Sequence, residues 1–219
     1  EFSLFAADID SSVLTPAQIS EKIAAHKGPI ALAFEINENS LHRYAVALSA
    51  QEAHLIHSAE MGSWAVDSAV QKIAHGAKSL ARINGLQGVV FDTELAAYLV
   101  NPGTRAQELQ DLLDRWGSGA AIDTSSAEQT LLSSACALFA LQGSLTHELE
   151  SRGVGKLFYE LELPIAQLLA TMENRGIAVD KKALENYSPS LKLKLRAKLR
   201  LRIQLRVMNL MWHLLNSCK

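Results

Sequence analysis

The stretch that most limits the fold is Pro29–Ile36, an apolar run followed at once by two further strand-like segments. Arg43–Ser49 carries Tyr44, Val46 and Leu48 at alternate positions, and Glu52–Ser58 alternates weakly. Alternation with a period of two is the mark of a half-buried strand. The gaps between the three segments are short and polar, so they read as an antiparallel meander. A short helix candidate with Ile19 and Ile23 one turn apart precedes them, over residues 15–27. Ser63 is placed to cap a helix running to His75, with Trp64, Val66, Val70 and Ile73 as its apolar positions. Gly88–Phe91 is a short buried strand candidate.

Beyond that point the periodicity turns helical. Asp92 or Thr93 can cap a helix to Val100, and Asn101-Pro102-Gly103 breaks it. Leu109, Leu112, Leu113 and Trp116 share one helix face. Residues 123–150 form another helical stretch, with a break expected near Gly143. Leu157, Leu161, Ile165, Leu168, Leu169 and Met172 make a long apolar face that Pro164 should bend and Gly176 should end. Strands first and helices after, with a crossover before Gly88, implies an α/β domain: a mixed sheet with helices packed on it.

Of the 219 residues 48% are hydrophobic, which suits a folded core and excludes a disordered chain. No stretch approaches the ~20 apolar residues of a membrane span, so no membrane partner is expected. Two cysteines, Cys136 and Cys218, exclude a disulfide scaffold. With no signal-peptide pattern, free thiols imply a reducing, cytoplasmic setting. Glu1-Phe2 is the pair that an in-frame GAATTC cloning site encodes.

Two segments resemble bacterial family A DNA polymerases. Residues 90–102 read VFDTELAAYLVNP, close to the family's FDT-x-LAAYLLNP stretch. Residues 160–165 read ELELPI and residues 172–180 read MENRGIAVD, close to the junction that leads from the 3′–5′ exonuclease-like domain into the polymerase domain. The resemblance covers residues 20–186 and implies a ribonuclease H-like exonuclease fold. It implies residues 1–155 as the exonuclease-like domain, 156–186 as the junction helix, and 187–219 as a separate basic tail. It also implies DNA replication or repair as the setting, near the bacterial nucleoid, with DNA and a polymerase domain in cis as partners through the full-length enzyme.

Hydrolysis of a 3′-terminal phosphodiester by two divalent metals needs carboxylates that converge on one point. Active members of the family take these from a D-x-E on the first strand and from acids in two later motifs. Matching Phe34 to that strand puts Glu35 at the Asp position and Asn37 at the Glu position. The second motif, N-x-x-x-D, falls on Gly76–Leu80, so Leu80 stands at the acid position. The third falls on Ser133–Phe139, with Phe139 in the place of the last acid, and Thr130–Gln142 holds no Asp or Glu. One carboxylate of four remains, on a longer arm. The expectation is a degenerate, structural exonuclease-like domain with no catalytic or metal-binding residues. No cofactor is then expected for this fragment, and Mg²⁺ belongs to the parent polymerase. The alternative is a working metal-dependent 3′–5′ exonuclease that recruits Glu35 with Glu38, Asp67 or Asp92.

Other constellations read as structural. His54 and His57, three apart on a strand, face opposite sides. Ser133-Ser134 reads as helix surface, Cys136 as a packed thiol, and Gly85-Leu86-Gln87-Gly88 is too sparse for a phosphate loop.

The tail differs in kind. Residues 191–219 carry eight Lys/Arg and no acid, leaving a net charge of −10 on residues 1–190. From Leu191 to Val207 apolar and polar residues alternate for 17 residues. One strand of that length would run ~56 Å at ~3.3 Å per residue. A shifted reading frame explains it: read one base earlier, Met208-Asn209 forces Glu, Met211-Trp212 forces Val and Trp212-His213 forces Ala. The remaining codons permit the family phrase E-F-N-x-x-S-P-K-Q-L. The expected departure lies within Asn186–Ser190. The rival is a cationic segment that binds DNA or anionic lipid.

Overall fold

The structure is a computed structural model that describes residues 9–103, 108–190 and 192. The chain divides into two compact units, residues 1–175 and 176–219.

The first unit is built on a six-stranded mixed sheet in the order β1-β4-β3-β2-β5-β6. The strands are β1 (Asp10–Val13), β2 (Ile30–Asn37), β3 (Ser40–Ala47), β4 (Glu52–Ile56), β5 (Lys72–Ala74) and β6 (Val89–Asp92). β2, β3 and β4 form the antiparallel meander. Glu38 and Asn39 turn the first hairpin with φ of 48° and 70°, the left-handed pair that a two-residue loop between twisted strands requires. β5 and β6 return parallel to β2, and β1 joins parallel to β4.

The helices are α1 (Pro16–Ala25), α2 (Ala77–Asn84), α3 (Thr93–Val100), α4 (Leu109–Trp116), α5 (Ala127–Ser151), the single turn α6 (Gly155–Leu157) and α7 (Leu163–Arg175). α1 starts with a capping box, Thr15 and Gln18 each accepting the other's backbone N–H, and Pro16 fills the first turn. Its Ile19 and Ile23 are both buried. A π turn over Phe158–Glu162 feeds α7 just before Pro164. Gly176, at φ +69°, follows the last residue of α7.

Side-chain alternation splits the core between the two sheet faces. One face carries Ala31, Ala33, Ala45, Ala47 and Ala53 on the meander, with Leu55, Ile73 and Phe91 beside them, and α5 packs on it with Ala135, Leu138 and Leu141. The other offers Ile30, Leu32, Tyr44, Val46 and Ile56 to α1 and α2.

Several expectations are corrected. Residues 63–75 are not a helix: only Ser63–Ala65 form a 3-10 turn, and Lys72–Ala74 become a central strand. Ile73 and Ala74 are wholly buried between β2 and β6, so pairing overrides the local helical spacing. Lys72 is also fully buried, and its Nζ donates to the carbonyls of Asp67 and Val70, folding the preceding loop back on the strand. α5 begins after Ser126, which caps it, and runs through Gly143 unbroken. Buried Leu141 and Leu145 hold the helix on either side of that glycine. Ser133 and Ser134 are buried rather than on the helix surface. β1 had no counterpart in the sequence pattern.

In the second unit residues 181–190 are helical, and the Asp180 side chain accepts from the Ala183 N–H at its start. The expected junction helix of 156–186 is therefore α6, the π turn and α7, then residues 176–180, then a separate helix. The Glu1-Phe2 pair, the alternating segment apart from Lys192, and the frame-shift phrase lie outside the described residues.

Candidate active site

The site expected from the first strand lies at the carboxyl end of β2. Glu35 stands opposite Arg43 of β3, and a bulge immediately after this pair shifts the register so that Ile36 meets Leu41. Arg43 Nε donates to Glu35 Oε2 at 2.6 Å, and Asn37 Nδ2 donates to Oε1 at 3.2 Å. Both carboxylate oxygens are therefore engaged. The Arg43 guanidinium holds the Glu35 carboxyl below its ordinary 4.5, against the opposing effect of partial burial. A cation supplied by the chain itself sits where a metal-binding carboxylate would need one from solution.

The other two motif positions lie elsewhere. Leu80 is fully buried on α2, in the cluster with Ile30 and Leu32, on the opposite sheet face from Ala31 and Ala33. Glu35 alternates with Ala31 and Ala33 along β2. Phe139 lies on α5 and lines a cavity of about 260 Å³ with Ile9, Ala50, Gln51 and Cys136. Ala50 and Gln51 belong to the β3–β4 turn, at the sheet end away from Asn37. The structure thus joins Glu35 and Asn37 and leaves Leu80 and Phe139 apart. Two divalent cations need several oxygens converging on one point, and this donor set does not fit them.

The carboxylates of the alternative reading do not converge either. Glu38 is exposed in the hairpin turn. Asp67 precedes β5, at the opposite end of the parallel strands, and accepts from the Ala69 N–H at 2.8 Å. Asp92 is 2% exposed and accepts four backbone N–H bonds. Gly76 and Ala77 donate at 3.0 and 2.8 Å, and Glu94 and Leu95 at 3.0 and 3.4 Å. Asp92 therefore caps α3, as its position implied, and α2 as well. Burial pushes its carboxyl up, and the N–H groups with His75 pull it down. Among the described residues no group of three or more His, Cys, Asp and Glu could hold a metal ion.

A cavity of about 350 Å³ opens beside this double cap, lined by Gly76, Lys78, Glu94, Tyr98, Glu162 and Leu169. Lys78 is tied across to Glu173 of α7 at 2.8 Å. Cys136 is buried, and burial pushes its thiol up to about 12, so it is a packed thiol and not a nucleophile. His54 is buried while His57 reaches Glu128 of α5 at 3.2 Å. Sequence reasoning missed Arg43 as the partner of Glu35. Simple hairpin arithmetic from the Glu38-Asn39 turn puts His42 opposite Glu35, and only the bulge moves Arg43 there.

The chain matches no family model. It is 37% identical over 143 residues to DNA polymerase I of Mycobacterium tuberculosis, covering 56% of this chain and 16% of that protein. It is 32% identical over 126 residues to DNA polymerase I of Bacillus subtilis, covering 51% and 14%. The chain spans about one-sixth or less of the length of these relatives. The POL domain of Pol1 from M. smegmatis, in complex with DNA primer-template and dNTP, superposes with a TM-score of 0.73 at 28% identity, over 85% of this chain and 36% of that one. NrnC of Brucella melitensis with bound Mg²⁺ superposes at 0.56 and 17% identity, covering 78% and 96%, a likeness of fold alone. Together they support a fragment related to a bacterial family A polymerase, with homology to its exonuclease region and a ribonuclease H-like fold.

Proposed function

We propose that this fragment of a bacterial family A polymerase has lost 3′–5′ hydrolysis and serves as a structural support for a polymerase domain. The observation that carries this reading is the Arg43–Glu35 contact at 2.6 Å. The one remaining acid of the metal-binding set is neutralised by its own neighbouring strand. Leu80 and Phe139 add hydrocarbon where acids would be needed.

The supporting role rests on the far end of the domain. Leu161, Leu168 and Met172 are each at least half exposed along the π turn and α7. An apolar face of that size is suited to cover by another domain. In this reading DNA is met through the full-length polymerase, in replication or repair at the bacterial nucleoid, and Mg²⁺ serves the parent enzyme. Residues 1–155 form the silent domain, 156–186 lead towards the polymerase domain, and 187–219 arise from a frame shift. Among the described residues no helix is long and apolar enough to cross a membrane.

The experiment is a nuclease assay on 3′-labelled single-stranded DNA with Mg²⁺ and then Mn²⁺. The expected result is no metal-dependent release of the 3′ nucleotide. Release that Glu35→Ala abolishes would establish the alternative, an active exonuclease built on Glu35 and nearby carboxylates. For the tail, the coding DNA decides. Restoring one base within Asn186–Ser190 should yield an acidic helix followed by the E-F-N phrase; failure to do so removes the frame-shift reading.

A further inference from the structure

The edge of the sheet carries a constellation that the polymerase resemblance does not use. β1 pairs in parallel with β4, and the register sets Ser12 opposite His54. Ser12 Oγ lies 2.8 Å from His54 Nδ1. On the other side of the ring, His54 Nε2 lies 3.0 Å from Glu52 Oε1. Glu52 is two residues before His54, on the same face of the strand. Lys22 Nζ of α1 holds the same Glu52 oxygen at 3.0 Å.

The chemistry assigns the protons. Lys22 first, then His54, keeps the Glu52 carboxyl below its ordinary 4.5, so it is a carboxylate and can only accept. His54 Nε2 therefore carries the ring hydrogen, and Nδ1 is left as a base facing the Ser12 hydroxyl. The imidazole is 2% exposed and is fixed at both nitrogens, whereas Ser12 is exposed. A reachable hydroxyl, a buried base and an orienting carboxylate in series are the parts of an activated serine.

We propose that Ser12, His54 and Glu52 form an acyl-transfer site for small, unhindered esters. Ser12 is the nucleophile, His54 the general base, and Glu52 a positioning residue. β1 is the edge strand and is exposed along its whole length. The Asp10 N–H donates to the Gln51 carbonyl just before β4 and the Leu14 N–H to the Leu55 carbonyl of β4, so by ladder alternation those of Ser11 and Val13 face the open edge. They flank Ser12 and are the available donors for a developing oxyanion. An edge without deep walls grips little beyond the reacting carbonyl, which limits the substrate to small activated esters.

Ser12 Oγ attacks the ester carbonyl carbon as its proton passes to His54 Nδ1. The bond to the alcohol oxygen then breaks, and the proton leaves with that oxygen. Water, giving its proton to Nδ1, attacks the acyl-serine. The carboxylic acid is released and the proton returns to Ser12 Oγ. The site spans β1 and β4, and β3 separates it from β2, so it stands whether or not the nuclease is silent.

The test uses the full 219-residue chain with p-nitrophenyl acetate, following nitrophenolate release and locating the acetyl group by mass spectrometry. The expected result is a burst with acetylation at Ser12, lost in Ser12→Ala. His54→Gln should slow acylation about 100-fold or more. Glu52→Gln should lower the acylation rate constant while leaving the half-saturating ester concentration unchanged. Ser12→Ala is an exposed change, so it decides the matter even if His54→Gln does not fold. No release above buffer, release that persists in Ser12→Ala, or acetyl groups on lysines in place of Ser12 would overturn the assignment.

Discussion

Arg43 lies directly across the ladder from Glu35 and closes its carboxylate at 2.6 Å, one residue before the strand bulges. Arg43 is mostly buried, and Glu35 is about one-third exposed. A pair that open to water contributes about 1 kcal/mol or less. A double-mutant cycle with Glu35→Ala and Arg43→Ala, read by urea unfolding at pH 7, should give a coupling of that size. The folded carboxyl sits below its ordinary 4.5, so this stability is present above 4.5 and is lost as pH falls through the lower folded value. Repeating the cycle well below pH 4 should therefore give no coupling.

Asp92 is a buried carboxyl shared by the starts of two helices. Asp92→Ala strands four backbone donors, the Ala77 N–H buried and the other three partly buried, and uncaps two helices together. A loss of about 3 kcal/mol or more is expected, read as a fall in melting temperature. Asp92→Asn keeps an acceptor oxygen and should lose less.

Placing acids at the four motif positions should not produce a nuclease. Asn37→Glu is an exposed change and should fold. Leu80→Asp puts a carboxyl into a fully buried apolar cluster, and should cost about 3 kcal/mol or more. The combined Glu35→Asp, Asn37→Glu, Leu80→Asp and Phe139→Asp variant should show no Mg²⁺-dependent release of a 3′ nucleotide. A rate above that of the unmodified chain would mean that the four positions converge after all.

Lys72 should be visible in the alkaline limb of the stability curve. Burial lowers its amine to about 8 from 10.5. Between those values the folded chain binds fewer protons than the unfolded one, so this group makes stability rise with pH. Lys72→Met removes the titration. The variant should show a flatter profile from pH 8 towards 10 in urea melts at successive pH values.

The legible parts of the fold were those set by local pattern. The meander, the α3 cap at Asp92 and the stop at Gly176 all follow from neighbours in sequence. β5 was not legible, because a three-residue strand in mid-sheet is specified by β2 and β6, and its own spacing mimics a helix. β1 was hidden for a related reason: as an edge strand exposed along its length it has no apolar alternation. The candidate site was legible only at Glu35 and Asn37, which share one strand. The family resemblance matched Leu80 and Phe139 to motifs of the same centre, but a motif match carries no information on sheet face or sheet end. The Ser12–His54–Glu52 series went unseen because it depends on the register of a strand that was itself unseen.

The alanine face under α5 has a consequence for how the domain can vary. The helix is 25 residues long, about 37 Å at 1.5 Å per residue, and part of it lies over the alanines of the meander, whose side chains end at Cβ. Over that patch the sheet contributes only methyl groups. An added methylene at Ala31, Ala45 or Ala53 has no rotamer to retreat into, so the whole rod must lift. The helix works as a splint: a disturbance at one point is felt along its full length, by α3, α4 and the sheet together. Change in this domain is then tolerated at its edges and loops, where the exposed Ser12 is found, and resisted beneath the splint.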